Sequence, residues 1–357
     1  MADGRTDDLD TTDARTVPEL TNPRAERVKA VRALSGRSVR QRQGVFLVEG
    51  PQSVREVVRA HPDTARVRDL YVAAPVVDRH AGILADAGAR GLRVHVATSE
   101  VLTAMSPDAQ GILAVAEQPV ADLESVVAAG PRLLAVLAHV RDPGNAGTAI
   151  RVADAVGADA AVLTEASVDA HNPKVVRSTA GSLFHLPVVQ GARLADVVTA
   201  VRAAGVTVLA ADGRGDHDLD DLLDAAGPSG TRGPGVPDLA APTAWVFGNE
   251  AWGLDDADRE LADAVVRVPI HGRAESLNLA MAVTVCLYTS ARAQRPGRTA
   301  GCRRRERGLV GPGGRGGPPG GGLRPGPAWS EEARRPRPAA GTRPTSAGST
   351  CSAPRTA

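Results

Sequence analysis

Short strand-like segments alternate with longer helix-like segments through the second half of this chain, from residue 132 onward. The strand-like segments are LLAVLAHV, DAAVLT, LPVV, VTVLAAD, AWVFGNE and AVVRVP. Apolar residues recur at helical spacing in NAGTAIRVADAVG, NPKVVRSTAGS, LADVVTAVRAAG and ESLNLAMAVTVCLYTSARA. This alternation predicts an α/β fold with a mostly parallel sheet that is flanked by helices. In such sheets, ligands bind at the loops that leave the carboxyl ends of the strands.

The chain has 357 residues, which is enough for two compact domains with tails. Shorter helical and strand-like segments, such as ERVKAVRALS and GVFLVE, predict a small α/β sandwich domain in the first half. The predicted division is an acidic N-terminus at 1–22, a first domain at 23–118, a linker at 119–131, a second domain at 132–294 and a tail at 295–357. Residues 212–242, rich in Asp, Gly and Pro, predict a solvated excursion from the second domain.

The two ends of the chain differ from the rest in charge and composition. Residues 1–20 carry six acids and two bases, whereas residues 296–357 carry twelve arginines, three acids, 14 Gly and 10 Pro. Such segments cannot bury enough apolar surface to fold, so both ends are predicted to be disordered. The tail is either an RNA-binding arm or the product of frame-shifted or read-through coding in a GC-rich gene. The remaining residues carry 28 bases and 32 acids, which excludes a uniformly basic nucleic-acid binder.

Cysteine usage and apolar run lengths limit the cellular location. Cys286, Cys302 and Cys351 have neither CxxC spacing nor nearby histidines, so we expect no metal site and no disulfide framework. No stretch approaches the roughly 18 apolar residues of a membrane span, and the acidic start is unlike a signal peptide. We therefore predict a cytoplasmic protein with no membrane partner.

Two loops that follow predicted strands carry polar residues suited to a site. The first, HVRDPGNAGTAIR, contains Asn145, which can cap the helix that follows, and Arg151. The second, FGNEAWGL, contains Gly248, which permits close approach of a ligand, and Glu250, a carboxylate at a strand end. Taken singly, each pattern fits a structural role as a cap or a surface acid.

A third loop, VPIHGRAESLNLAMA, leads into Ser276 and Asn278 at the start of a helix. By itself it resembles an ordinary helix cap. Three such loops in this order, each at the exit of a predicted strand, favour one shared site.

In this order the three loops resemble the signature motifs of the SpoU (TrmH-type) branch of the SPOUT RNA methyltransferases. The matching patterns are N-x-G-x-x-x-R at 145–151, G-N-E-x-x-G at 248–253 and P-x-x-G-x-x-x-S-L-N at 269–278. The first domain resembles the L30e-like substrate-binding domain often fused to such enzymes, notably at GVFLVEGPQSVREV. The resemblance implies a trefoil-knotted catalytic domain in which the final helix passes through a preceding loop, although knots are very rare among proteins.

The resemblance also implies a cofactor and a set of site residues. The methyl donor would be S-adenosyl-L-methionine, held largely by backbone groups at Gly248, Val268 and Leu277. The catalytic positions of the family match Arg151, Asn145, Glu250, Ser276 and Asn278. A homodimer is implied, in which one subunit presents Arg151 close to the cofactor of the other. The chain departs from the family at AHVR, residues 138–141, where an acid or Asn is common, and His139 is expected to be a strand-end packing residue.

The implied reaction is methylation of a ribose 2′-OH in RNA. This hydroxyl is a poor nucleophile at neutral pH, so the protein must orient it and manage one proton. Arg151 is the family's candidate for that role. Because guanidinium groups are reluctant bases, Arg151 is either the general base or an electrostatic positioner of phosphate and ribose.

One segment of the first domain is a candidate RNA contact. Residues 24–42, RAERVKAVRALSGRSVRQR, hold seven bases and one acid. We predict phosphate contacts from Arg24, Arg27, Arg32, Arg37, Arg40 and Arg42. The alternative is a solvated basic helix. Phe46 and Tyr71 are the only Phe and Tyr of this domain, so its recognition should depend on RNA shape and backbone more than on stacking.

The combination of domains favours 23S ribosomal RNA as the substrate, with transfer RNA as the alternative. A non-catalytic RNA- or ribosome-binding protein of the same fold is a second alternative. A Rossmann-type enzyme acting on a small molecule is a third, but the chain lacks the G-x-G-x-x-G fingerprint.

Overall fold

Two β-sheets, one in each half of the chain, organise residues 17–119, 121–227 and 232–295, which are the residues that the structure describes. The structure is a computed structural model. Disorder is predicted for residues 1–22 and 295–357, of which 1–16 and 296–357 lie outside the described residues. For residues 17–22 the prediction is wrong, because Leu20 forms a parallel bridge with Ala97 at the edge of the first sheet and the Glu19 N–H donates to the Val96 carbonyl at 2.8 Å.

The first sheet belongs to a small domain of alternating helices and strands. Its elements are α1 (Glu26–Ala33), α2 (Arg37–Gln43), β1 (Val45–Glu49), α3 (Pro51–Ala60), β2 (Val67–Ala73), α4 (Ala81–Ala89), β3 (Val94–Ala97), α5 (Ser99–Met105) and β4 (Ile112–Glu117). The strand order is β1-β4-β2-β3, with β4 antiparallel to both neighbours and β3 parallel to β2. Phe46 and Val48 of β1 pack against α3, whereas Val45 and Leu47 face α1 and α5. Burial on both faces explains the unbroken apolar run of this strand.

The second sheet has seven parallel strands. The elements of this half are α6 (Leu123–Ala128), β5 (Leu133–Leu137), α7 (Pro143–Val156), β6 (Ala160–Thr164), α8 (Pro173–Thr179), β7 (Val188–Ala192), α9 (Leu194–Ala203), β8 (Thr207–Ala211), β9 (His217–Asp218), α10 (Leu219–Asp224), β10 (Thr243–Phe247), α11 (Asp256–Glu260), β11 (Ala264–Arg267) and α12 (Leu279–Gln294). The order is β7-β6-β5-β10-β8-β11-β9. Helices α7, α8 and α12 pack on one face, and α6 and α9 on the other. The predicted α/β class is confirmed, and the threading of α12 through a loop stays a prediction.

Two segments predicted to be irregular contribute to the core. The linker at 119–131 contains α6, whose Val126 is buried on the α9 side of the sheet. The excursion at 212–242 contains β9 and α10, and Leu219, Leu222 and Leu239 are buried. The prediction of a solvated excursion is therefore wrong for these leucines. Acidic side chains occupy the exposed face of α10, and leucines occupy its buried face. The many acids made the segment look solvated in the sequence.

Two ion pairs, each with one buried member, join the first domain to the second. Arg40 in α2 places Nη2 2.5 Å from Oδ2 of Asp169, and Arg177 in α8 places Nη1 2.5 Å from Oε2 of Glu49. Arg40 is 1% exposed and Glu49 is 5% exposed. Removing one partner from such a pair leaves the buried member without a compensating charge, so both pairs favour the arrangement in which the two domains are in contact.

No helix among the described residues combines the length and the apolar character that crossing a membrane requires.

Candidate active site

The loops after β5 and β10 meet at the carboxyl edge of the second sheet because these two strands are parallel neighbours. Glu250, three residues beyond β10, reaches across this edge. Its carboxylate accepts hydrogen bonds from the backbone N–H groups of Arg141 and Asp142 at 3.3 and 3.1 Å. The side-chain Nδ2 of Asn145 donates to the same carboxylate at 3.3 Å. The second loop is thereby tied to the first.

Asn278 connects the third loop to the first. Its Oδ1 caps α12 by accepting from the N–H of Ala280 at 2.9 Å, and its Nδ2 donates to Oδ1 of Asn145 at 3.1 Å. The capping role considered for Asn145 is wrong, because the carboxylate of Asp142 caps α7 at 2.7 Å from the Asn145 N–H. The side chain of Asn145 is consequently available to link Asn278 with Glu250. We call the three hydrogen-bonded side chains, Asn145, Glu250 and Asn278, the polar cluster.

A cavity of about 650 Å³ opens beside the polar cluster. Its walls come from the exits of β8, β10 and β11 and from the loop before α12. They include Gly248, Glu250, Val268, Ser276 and Leu277. The three positions predicted to hold the cofactor and two of the predicted catalytic residues therefore line one space. Its volume lies in the range of small-molecule sites.

Gly248 permits a close backbone approach in the cavity wall. A Cβ atom at this position would lie 2.2 Å from the carbonyl carbon of Gly253 and 2.4 Å from the nitrogen of Leu254. The two ends of this loop are close together because Asn249 and Gly253 exchange backbone hydrogen bonds of 2.9 and 2.8 Å. No side chain fits at Gly248, and the backbones of both glycines lie at the cavity wall.

Arg151 is exposed on α7, six residues beyond Asn145. Six residues correspond to a rotation of about 600°, so the two side chains leave the helix about 120° apart. Among the described residues, Arg151 has no hydrogen bond or ion pair with the polar cluster or with any other side chain. The structure thus brings Asn145, Glu250 and Asn278 together and does not bring Arg151 to them within one subunit.

His139, expected to be a packing residue, instead links three strand exits. Its Nδ1 lies 3.0 Å from the carbonyl oxygen of Glu165 after β6, and its Nε2 lies 3.2 Å from the carboxylate of Asp258 in α11. Its own carbonyl accepts from Nδ2 of Asn249 at 2.7 Å. The residue has φ of +56°, an uncommon value for a residue other than glycine. Burial raises the pKa of Asp258 above the usual carboxyl value.

Arg141 and Trp252 form a pair that the sequence analysis did not single out. The guanidinium carbon of Arg141 lies 5.1 Å from the centre of the Trp252 ring, within the range of a cation–π contact. Trp252 is 52% exposed and lines the cavity. A flat exposed ring beside a cation is a surface on which a nucleobase can stack. The signal was a tryptophan inside the second motif of a chain with only 2% aromatic residues.

The predicted RNA-contacting arginines do not share one environment. Five of them are exposed on α1, on α2 or just before α1, which leaves them available to phosphates: Arg24, Arg27, Arg32, Arg37 and Arg42. Arg40 is a correction to the prediction. Its guanidinium is buried and donates to Asp169 and to the carbonyls of Leu34 and Ser35 at 2.5 to 3.1 Å. All three guanidinium nitrogens are engaged inside the protein, so this side chain does not contact RNA.

The fold and the motif positions coincide with a known family. Residues 132–288 match the SpoU rRNA Methylase family, and residues 25–114 match the MRM3-like substrate binding domain. The 23S rRNA (guanosine(2553)-2'-O)-methyltransferase RlmP of Bacillus subtilis is 31% identical over 272 residues, which cover 76% of this chain and 98% of that relative. The chain therefore belongs to the SpoU rRNA methylase family, and the resemblance drawn from the three motifs is confirmed.

Two further comparisons extend this finding. The 23S rRNA (uridine(2479)-2'-O)-methyltransferase of Streptomyces viridochromogenes is 37% identical over 194 residues, covering 53% of this chain and 62% of that relative. The crystal structure of AdoMet-bound rRNA methyltransferase from Sinorhizobium meliloti superposes with a TM-score of 0.64 at 30% identity, covering 78% of this chain and 98% of that one. The two named relatives modify ribose at different bases, so the ribose is what their reactions share.

Proposed function

We propose that this protein transfers a methyl group from S-adenosyl-L-methionine to a ribose 2′-OH of RNA, and that its substrate is 23S ribosomal RNA. The observation that carries the proposal is the meeting of three motif loops. They join Asn145, Glu250 and Asn278 by hydrogen bonds at the rim of a cavity of about 650 Å³. Two relatives that methylate 23S rRNA at a 2′-oxygen support the substrate class.

The cavity suits the methyl donor in shape and in charge. The absence of a side chain at Gly248 leaves backbone groups at the wall, where the family holds its donor. Ile270 and Leu277 are 38% and 40% exposed at this wall and offer apolar surface to an adenine ring. Asp212 and Glu250 supply carboxylates to a ligand that carries a sulfonium and an ammonium charge.

The polar cluster would orient the ribose. Glu250 is fixed by two backbone N–H groups, and its carboxylate keeps acceptor capacity for a hydroxyl proton. Ser276, exposed at the cavity wall, offers a hydroxyl that both donates and accepts. When bound, S-adenosyl-L-methionine supplies a methyl group already activated by its sulfonium. The tasks left to the protein are alignment of the 2′-oxygen and removal of its proton.

Arg151 would complete the site from a second subunit. Met281, Val285 and Tyr288 are 50%, 38% and 61% exposed, and their spacing places them on one stripe of α12. A second copy of the chain seated on this stripe would cover it. Because α12 packs against α7, the interface would also involve the helix that carries Arg151. Arg151 of one subunit would then serve the cavity of the other, as general base or as an electrostatic positioner of the phosphate and ribose.

The first domain would hold the RNA outside the reaction centre. We propose that residues 23–118 bind RNA through the exposed arginines Arg24, Arg27, Arg32, Arg37 and Arg42. Residues 132–294 would carry the methyl transfer, in the cytoplasm where ribosomal RNA is modified. Transfer RNA is the alternative substrate.

Mapping of 2′-O-methyl groups tests the function. Ribosomal and transfer RNA would be compared between cells with the gene, cells without it, and cells carrying Arg151→Ala. We expect one 2′-O-methyl site in 23S rRNA to be lost without the gene and to stay absent with Arg151→Ala. A lost site in transfer RNA would correct the substrate. If no RNA site changes and calorimetry detects no binding of S-adenosylmethionine, the protein is a non-catalytic RNA binder.

A further inference from the structure

A second cavity, of about 230 Å³, lies where the first domain meets the second. Arg37 and Gln41 of α2 form one side of it. Glu165, just after β6, and Gln190, in the middle of β7, form another side. The proposed methyl transfer gives this junction cavity no role.

The junction cavity and the active site share one edge of the second sheet. A line of hydrogen bonds runs along this edge from Asn249 to the His139 carbonyl at 2.7 Å, and from the His139 ring to the Glu165 carbonyl at 3.0 Å. Strands β10, β5 and β6 are consecutive neighbours. At about 4.8 Å per strand, the exit of β6 is about 10 Å from the exit of β10. A nucleic acid with its ribose at the active site can therefore extend into the junction cavity.

The walls of the junction cavity are close to neutral overall, because Arg37 and Glu165 contribute one charge of each sign. Its walls include three glutamines, Gln41, Gln118 and Gln190, whose amides both donate and accept hydrogen bonds. The charge of Asp169 in the wall is compensated by Arg40, 2.5 Å away. Such walls match the donors and acceptors on the edge of a nucleobase better than they match a bare anion or cation.

His171, a residue of the cavity wall, has a ring N–H that no other described residue uses. The ring is 5% exposed and belongs to the cavity wall. Gln190 accepts from the N–H of Ala170 at 2.7 Å through its oxygen, so its nitrogen is the end that donates to Nδ1 of His171 at 3.2 Å. The proton of the neutral ring is then on Nε2, for which no hydrogen-bond partner exists in the described part of the chain. Burial lowers the pKa of His171 to about 4, so the ring is neutral at physiological pH.

We infer that the junction cavity binds the base of a nucleotide that flanks the target ribose. The glutamines and His171 contact the edge of the base, and Arg37, exposed at the rim, contacts its phosphate. The cavity volume is below the range of about 300 to 1,000 Å³ typical of drug-sized ligands, which suits a single base. The inference rests on the proposed function and deepens it, because it gives the enzyme a contact with RNA sequence away from the reacting nucleotide.

The test compares Gln41→Ala/Gln118→Ala with Gln43→Ala in the full-length protein. Gln43 is exposed on the same helix and does not line the junction cavity, so it is the matched control. Filter binding to a 23S rRNA transcript and calorimetry with S-adenosylmethionine would be measured for each. We expect the double variant to bind the transcript about tenfold more weakly, which corresponds to two lost hydrogen bonds. Its affinity for S-adenosylmethionine should equal that of the control.

A second variant, Gln41→Trp, removes the same amide and also fills the cavity with a large side chain, so it should weaken transcript binding at least as much. Transcript binding by the double variant that equals the control would overturn the inference, even where the unchanged protein methylates RNA. Weakened transcript binding by the double variant of a protein that methylates no RNA would overturn the proposed function. It would also overturn the placement of the base beside a target ribose, and it would leave the junction cavity as an RNA-binding site only. A wild-type protein that does not bind the transcript would overturn both.

Discussion

Replacement of Gly248 by alanine should damage donor binding through the backbone alone. The added Cβ would lie 2.2 Å from the carbonyl carbon of Gly253, more than about 1 Å inside a normal carbon–carbon contact. The clash is with backbone, so residues 248–253 must move and the paired hydrogen bonds between Asn249 and Gly253 must lengthen or break. Overpacking of this kind costs about 1 to 3 kcal/mol. The melting temperature should fall by roughly 2 to 12 °C.

Calorimetry with S-adenosylmethionine and thermal unfolding measure both effects. We expect the dissociation constant of Gly248→Ala to rise at least about tenfold, equivalent to about 1.4 kcal/mol. Gly213→Ala is the matched control, because Gly213 lines the same cavity and a Cβ there meets nothing within 4 Å. If Gly248→Ala melts and binds the donor as Gly213→Ala does, the close backbone approach at Gly248 has no part in holding the cofactor.

Four further substitutions test other parts of the structure. Arg151→Ala should abolish methyl transfer and leave calorimetric donor affinity largely unchanged; equal loss of both would make the residue structural. Glu250→Gln weakens charge-assisted bonds from two backbone N–H groups and should lower kcat about tenfold in a methyl-transfer assay, whereas an unchanged rate would remove Glu250 from the site. Arg40→Met leaves the mostly buried carboxylate of Asp169 without its partner and should lower the urea-measured free energy of unfolding by about 3 kcal/mol, and an added Asp169→Leu should restore part of it. The double variant Tyr288→Glu/Met281→Glu should sediment as a monomer. Val17→Glu, at a similarly exposed position, is the control, and a dimer that persists in the double variant would place the interface elsewhere.

The strands and their order along the chain followed from the sequence because each is a short apolar run between polar turns. LLAVLAHV and AWVFGNE became β5 and β10, which lie side by side in the sheet. The prediction for residues 212–242 was wrong because the seven acids of this segment outnumber its four leucines, yet three of those leucines are buried in the core. Periodicity over six residues is too short a signal to detect a helix such as α10.

The order of the three motifs along the chain was enough to predict the site. The surroundings of individual side chains could be learned only from the structure. Gly147, part of the first motif, serves helix packing, since a Cβ there would lie 2.5 Å from Cβ of Ser178 in α8. Arg40 is one of seven bases in its segment, and nothing in the local sequence distinguishes it from its exposed neighbours. Its partner, Asp169, is 129 residues away. A pairing at that separation leaves no local pattern, so the sequence could not show which arginine is internal.

The two ion pairs between the domains, Arg40 with Asp169 and Arg177 with Glu49, bear on which RNA sites the protein can methylate. If the exposed arginines of the first domain bind RNA as proposed, these pairs would keep a constant distance between the bound RNA element and the ribose that is methylated. Only an RNA in which the same distance separates the bound element from the target ribose would then be methylated. An extra nucleotide inserted between the docked element and the target would shift a neighbouring ribose into register, and the methyl mark would move with it.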